Sequence, residues 1–215
     1  ASQAFGLERT ITYGRLPGGL VMLNWPLQGN DWHGHGLELL EPAATTGPIA
    51  AAMRAHSKAF ASALEEASGG WLTPAACFPA AGGAALSGPS SLALMPYWRE
   101  GRRLRGRTVL VEQQLLPLGT GESQGPLPWD GDGALEAVAV GNYANDHHYP
   151  GADWPLAPKS IRWGGRWSGT PFTVPYRALL SADYENLLAA DKNFSVSHMA
   201  NGATRLQPLI LNIGQ

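Results

Sequence analysis

The sequence predicts an α+β fold, in which a mostly antiparallel sheet packs against helices and a strand–loop–helix segment closes the chain. Three observations carry this prediction. Short apolar runs alternate with turns in a chain of 27 glycines and 17 prolines, which is typical of sheet proteins. Residues 49–67 have the apolar spacing of a long helix. Residues 186–215 pass from an apolar run through a polar, Gly-containing loop into a second helical stripe.

The first part of the chain predicts a hairpin and then a helix. Residues 9–13 and 19–24 have the composition of strands, and the Leu-Pro-Gly-Gly sequence of residues 16–19 predicts the turn between them. Pro48 opens the helix of residues 49–67, which is rich in alanine, and glycines follow its last turn. This helix is the clearest single element in the sequence.

The second half of the chain predicts four strands. Residues 107–115 and 135–143 are apolar enough for strands within a sheet. Residues 172–176 predict a short edge strand, because Pro175 cannot donate a hydrogen bond to a neighbour. Residues 185–190 resemble a buried parallel strand.

The last segment predicts a helix without a stop signal at its C-terminal end. Leu206, Leu209, Ile210 and Ile213 recur at helical spacing, and Pro208 suits the first turn of a helix, where its missing N–H costs nothing. No glycine cap or ending cluster follows before the sequence stops. We therefore expect the chain to be part of a longer protein.

Composition excludes several classes of function. The chain has 215 residues, 44% apolar and 15% charged, with a formal net charge of −2. It offers no basic surface for nucleic acid or for an anionic membrane, and no apolar run reaches the roughly 20 residues that span a bilayer. No signal peptide is visible, and the single cysteine forms no intrachain disulfide, so a cytoplasmic location is favoured. Cys77 lies in an apolar setting, and we expect its thiol to be buried and inert.

An arginine cluster is the densest polar feature. Arginines 99, 102, 103, 105 and 107 follow Tyr97 and Trp98 closely. Guanidinium groups suit bidentate recognition of a carboxylate or phosphate, and Glu100 can orient one of them. The alternative is a solvated turn before a strand.

Two adjacent histidines follow the predicted strand of residues 135–143. His147 and His148 stand next to Asp146, and either imidazole could move a proton near neutral pH. Adjacent side chains on extended backbone point to opposite faces, so a single histidine, His148 or His147, is the predicted acid/base. Structural hydrogen bonding is the alternative.

A third cluster, Asn30, Asp31, His33 and His35, allows two interpretations. His33 and His35 would share one face of a strand, and Asp31 could join them around a metal ion. A zinc site needs three or four protein ligands, and the sequence names no further ones. We therefore predict no metal site and favour contact with a substrate.

The C-terminal segment reads Asn-Leu-Leu over residues 186–188, Ser-Val-Ser-His-Met-Ala-Asn-Gly over 195–202 and Arg-Leu-Gln-Pro over 205–208. It resembles the C-terminal flavin-contacting motif of FAD-dependent oxidoreductases with a glutathione-reductase-like architecture. The arginine cluster and the Asp-His-His segment resemble further signatures of that family. By this resemblance the cofactor is FAD, and its contacts fall on Ser195, Ser197, His198, Asn201, Gly202, Thr204, Arg205 and Gln207.

The resemblance also implies roles for the other clusters. Residues 1–176 would be a substrate-type domain, and residues 177–215 the returning C-terminal segment of an α/β FAD-binding domain. The substrate is a small organic molecule that exchanges hydride with flavin N5. The catalytic and anion-binding residues would be His148, His147, Arg99, Arg102, Arg103 and Glu100. The substrate contacts would be Asn30, Asp31, His33 and His35.

One expected signature is missing from the chain. FAD-binding folds of this type open with a strand, a G-x-G-x-x-G turn and a helix, and the sequence contains no convincing example. We expect the nucleotide-binding half to lie elsewhere in the same protein or on a separate chain, and this chain alone to be inactive.

Two other functions remain open at this stage. A non-catalytic binding module would hold a carbohydrate or another flat ligand on Trp154, Trp163 and Trp167. A metal-dependent hydrolase would use His33, His35 and His147, and would lose activity to chelators.

Overall fold

The computed structural model describes residues 5–25, 29–32, 34, 47–79, 90–97, 101–116, 124–143, 146 and 170–215. These residues fall into two compact units. The first contains the described residues up to 97, and the second contains those from 101 onward. The helices and the two-stranded antiparallel sheet that they form are an α+β arrangement, as predicted. No helix among the described residues has the length and apolarity needed to cross a membrane.

The first unit begins with helix α1, Leu7–Thr12, where the sequence predicted a strand. Thr10 and Ile11 are both buried, at 3% and 2% exposure, and adjacent residues can face one core on a helix but not on a strand. Tertiary burial therefore overrides the strand propensity of this Thr- and Ile-containing segment. The predicted turn at residues 16–19 is confirmed, because Arg15 and Val21 form an antiparallel bridge around it. The predicted strand at residues 19–24 is wrong, since Val21 alone is paired in a bridge there.

Helix α2, Pro48–Ala67, matches the predicted helix. Leu64 and Ala50 are its buried residues. It also contacts the segment around Gly29, whose carbonyl oxygen lies 2.9 Å from Nε2 of His56. The helix therefore braces a loop of the same unit, as well as burying an apolar face.

The second unit is organised around strands β1, Ala137–Gly141, and β2, Phe172–Pro175. They pair antiparallel, with Gly141 opposite Phe172. Both strands were predicted, and β2 ends at its proline as expected. Helix α3, His198–Thr204, and helix α4, Gln207–Gly214, follow near the C-terminus. Helix α4 packs on β1, and the side-chain oxygen of Asn212 accepts a hydrogen bond from the backbone N–H of Val140 at 3.1 Å.

One continuous hydrophobic core joins these elements of the second unit. It combines the inward faces of the sheet, the loop before α3 and both C-terminal helices. Its fully buried side chains include Leu110, Phe172, Val174, Phe194 and Ala200. Helix α4 contributes Leu209 and, partly buried, Ile213, which confirms the predicted apolar stripe.

Three further predictions about local structure are wrong. Residues 107–115 form no continuous strand: Leu110 makes one parallel bridge to Val196, and a short 3-10 helix follows at Glu112–Gln114. Residues 185–190 are not a buried parallel strand, because Leu188 is 50% exposed and bridges Leu180 antiparallel. Cys77 is exposed and not buried.

Candidate functional site

The C-terminal motif is held in the second unit by backbone pairing on both sides. The N–H of Leu110 donates to the carbonyl of Ser195 at 3.0 Å, and the N–H of Ser197 donates back to Leu110 at 2.8 Å. A side-chain carbon at Gly106 would lie 2.5 Å from Cβ of Ser195, so glycine is required for this close approach. The extended segment before α3 is therefore fixed before its polar residues begin.

The polar part of the motif is a helix and not the predicted loop. Ser197 caps α3, and its Oγ accepts the backbone N–H of Ala200 at 3.1 Å, which satisfies a donor of the first turn. Gly202, predicted to be a loop glycine, lies buried inside α3. Leu206, with extended backbone, separates α3 from α4.

Glu112 completes this cap, and the sequence reasoning missed it. The hydroxyl of Ser197 donates to Oε2 of Glu112 at 3.0 Å. The hydrogen bond from its own backbone N–H lowers the pKa of Glu112; desolvation opposes this, and bonds from Ser197 and Gln113 add to it. The signal that could have revealed this residue is an acidic side chain directly after the apolar run of residues 109–111.

Arg205, the residue that ends α3, forms an ion pair with Asp146. Nη2 of Arg205 lies 2.9 Å from Oδ2 of Asp146 and 3.2 Å from its carbonyl oxygen. The backbone N–H of Asp146 donates to the carbonyl of Gly202 at 3.2 Å. The side chain of Arg205 is only 7% exposed. These three contacts hold Asp146, which precedes His147 and His148 in the sequence, against the C-terminal motif.

The eight predicted flavin contacts divide by exposure. Five are buried within the fold and three are at least partly accessible. The buried ones are Ser195, Asn201, Gly202, Thr204 and Arg205; the accessible ones are Ser197, His198 and Gln207. Only accessible side chains can touch a ligand directly, so the buried group can act through the positions of the others. His198 and Gln207 begin α3 and α4 respectively.

The arginine cluster reaches the same unit. Arg102 is exposed and Arg103 half-buried, and both interact with other groups of the protein. The N–H of Leu104, the next residue, donates to the carbonyl of Asn193 at 2.7 Å, which places the middle of the cluster beside the residues just before Ser195. The side chain of Arg105 donates a hydrogen bond from Nε to a carboxylate oxygen of Asp183 at 3.1 Å.

The Asn30–Asp31 pair lies in the first unit. The side-chain amide of Asn30 donates to the carbonyl of Leu23 at 2.7 Å, and its backbone N–H donates to Trp25. Asn30 therefore braces a turn, and Asp31 is half-buried with contacts of its own.

Several predicted site residues lie outside the described residues. They are His33, His35, Arg99, Glu100, His147, His148, Trp154, Trp163 and Trp167. Among the residues that the structure does describe, no group of three or more His, Cys, Asp or Glu side chains is arranged to hold a metal ion.

Comparison with known families identifies the chain. The model of the FAD dependent oxidoreductase family matches residues 2–215, so the chain belongs to the FAD-dependent oxidoreductases. This family has a redox function and uses FAD as its cofactor. No curated protein and no solved structure matched the chain.

Two exposed side chains of the second unit, His198 and Gln207, have the chemistry that contact with a flavin ring requires. The ring of FAD carries a polar edge of carbonyl and N–H groups, and an exposed imidazole and an exposed amide are suitable partners for it. His198 and Gln207 provide these groups, while Ser197 and Glu112 fix the first turn that bears His198.

Proposed function

We propose that this protein transfers hydride between a small organic anion and N5 of its flavin. The supporting observation is the anchoring of Asp146 on α3 through Arg205 and Gly202. His147 and His148 follow Asp146 directly in the sequence. The anchor therefore holds Asp146, the residue before these histidines in the sequence, on the segment that resembles the family's flavin-contacting motif.

The roles divide among the chain's clusters. Arg99, Arg102 and Arg103 bind the negative charge of the substrate, because guanidinium groups pair with carboxylates in a fixed geometry, and Glu100 orients one of them. His148, or His147, exchanges a proton with the substrate as hydride leaves or arrives. Asn30, Asp31, His33 and His35 are proposed as further substrate contacts.

FAD supplies the two-electron chemistry when it is bound. Ser197, His198 and Gln207 contact the ring from this chain, while the buried residues Asn201 and Arg205 hold α3 in place. The nucleotide part of FAD is held by residues outside this chain, since the sequence contains no G-x-G-x-x-G turn.

The hydride step can be tested with a modified cofactor. The protein purified from its native gene would be reconstituted with 5-deaza-FAD, which accepts hydride but does not support one-electron transfer. We expect the substrate that bleaches bound FAD under anaerobic conditions to bleach the deazaflavin as well. Bleaching of FAD with no reaction of the deazaflavin would contradict hydride transfer.

The substrate class can be tested with matched pairs of reductants. Glycolate would be compared with ethylene glycol, and lactate with propane-1,2-diol, because each pair differs mainly in one carboxylate. We expect the acids to bleach the flavin at least about ten times faster, a difference of about 1.4 kcal/mol. Equal rates for acid and diol would contradict a substrate anion.

The arginine roles can be tested with a matched control. Arg102→Gln should lower the rate with glycolate about tenfold, while Arg107→Gln, an exposed arginine in the same stretch, should leave it unchanged. Equal losses in both variants would indicate a general effect of charge and contradict a specific contact.

A further inference from the structure

The first unit contains an aromatic groove that the proposed reaction does not use. The hairpin after α1 folds back on itself, with the N–H of Met22 donating to the carbonyl of Gly14 at 2.8 Å. A side-chain carbon at Gly14 would lie 1.8 Å from the carbonyl oxygen of Met22, so only glycine allows this approach. The return of the chain places Trp25 against α1.

Three aromatic rings meet at this point. The ring centroid of Trp25 lies 4.9 Å from that of Phe5 and 5.1 Å from that of Tyr13, with the Tyr13 ring nearly perpendicular. Trp25 is buried, whereas Tyr13 is 58% exposed. The rings and α1 border an open groove of about 640 Å³. Its lining includes Phe5, Glu8, Arg9, Thr12, Tyr13 and Trp25.

Glu8 and Arg9 are the charged side chains that line the groove, and they differ in their partners. The carboxylate of Glu8 accepts hydrogen bonds from Thr12 at 3.1 Å and from Arg15 at 3.5 Å. Arg9 forms no ion pair in the described part of the chain, and its guanidinium carbon lies 5.9 Å from the centroid of Trp25. The groove therefore presents aromatic walls and one cation without a carboxylate partner.

We infer that this groove binds a planar aromatic carboxylate. A flat conjugated ring can stack on the exposed ring of Tyr13 and the edge of Phe5. Its carboxylate can pair with Arg9, whose planar guanidinium is suited to bidentate contact. A volume of this size holds a small aromatic ligand. The inference is independent of the proposed redox reaction.

The test uses 2-naphthoate as the probe and the FAD-loaded protein purified from its native gene. Binding would be measured by calorimetry and by saturation-transfer NMR, while the flavin absorption bands are recorded. Two comparison compounds separate the contributions: 2-naphthamide keeps the ring without the charge, and cyclohexanecarboxylate keeps the charge without the ring. We expect 2-naphthoate to bind more tightly than either compound, with the flavin bands unchanged.

Three variants locate the site. Arg9→Gln should weaken binding of 2-naphthoate about tenfold, the contribution of one charge-assisted hydrogen bond. Tyr13→Ala should weaken it about fivefold through loss of stacking. Lys58→Gln removes the same charge from an exposed position on α2 and should change nothing. Far-UV circular dichroism would verify that each variant is folded, which the exposure of Arg9 and Tyr13 favours.

Several results would overturn the inference. They are no detectable binding of 2-naphthoate at its solubility limit, equal binding by the Arg9→Gln variant, and equal binding of the neutral 2-naphthamide. Release of FAD by the probe would also overturn it, because the probe would then occupy the flavin site. Loss of binding restricted to the Arg9 and Tyr13 variants would support the groove.

Discussion

The two units bury their side chains in different ways. The second unit has a continuous hydrophobic core that includes Phe172, Phe194 and Leu209. The described part of the first unit buries few apolar side chains, among them Ile11 and Leu64, and groups three aromatic rings around an open groove. A packed core suits a site that must hold reacting groups in place, whereas an open aromatic surface suits ligand capture.

The largest expected difference concerns truncation of an aromatic ring in each unit. Phe172→Ala should destabilise the second unit by about 3–5 kcal/mol, because Phe172 is 2% exposed and its removal leaves a cavity. Tyr13→Ala should cost the first unit only about 1 kcal/mol, the contribution of one ring pair. Urea unfolding followed by hydrogen exchange would assign each loss to its unit. Equal losses would contradict the contrast between the units.

The next effect compares a buried with an exposed ion pair. Asp146→Asn removes the charge partner of the buried Arg205 and should destabilise the protein by about 2–3 kcal/mol. Asp183→Asn breaks the exposed pair with Arg105 and should cost less than about 1 kcal/mol. Thermal unfolding of both variants measures the difference. A loss for Asp183→Asn as large as that for Asp146→Asn would contradict the anchor.

A smaller effect tests the cap of α3. Ser197→Ala should cost about 1 kcal/mol, because the N–H of Ala200 loses its acceptor and Glu112 loses its donor. Ser197→Thr keeps the hydroxyl and should lose much less. If threonine destabilised the protein as much as alanine, the hydroxyl would not be the stabilising group.

The smallest effect is a dependence on pH. Hydrogen bonding lowers the pKa of Glu112 from its ordinary 4.5, so its stabilising contribution is complete above that value. The contribution disappears as pH falls through the lowered folded-state pKa. The difference in unfolding free energy between wild type and Glu112→Gln should be about 0.5 kcal/mol or less near neutral pH, and should vanish in acid. A difference that grew on acidification would have the wrong sign.

Elements with a clear periodic pattern were predictable from the sequence, whereas elements without one were not. Helix α2 carries twenty residues of consistent spacing, and β1 alternates buried and exposed positions. Helix α1 has six residues, too few for a periodic signal to outweigh strand propensity. The prediction of a buried parallel strand at residues 185–190 was wrong, because an apolar run shows neither the direction of a strand nor its burial.

The cofactor was predictable from the sequence, whereas the contacts within the C-terminal motif were not. The C-terminal motif pointed to FAD, and the family match confirms that cofactor. The pairing of Arg205 with Asp146 joins residues 59 positions apart, and the bond from Ser197 to Glu112 joins residues 85 apart. Such contacts form when distant segments of the chain pack together, and the neighbouring residues in the sequence give no sign of them.

The most direct test of the account is the visible absorption spectrum of the protein purified from its native gene, before and after addition of FAD. The account predicts the absorption bands of a bound flavin, which remain with the protein through gel filtration. A spectrum without flavin bands, even after FAD is added and the excess removed, would contradict the assignment of this protein as a flavin-dependent oxidoreductase.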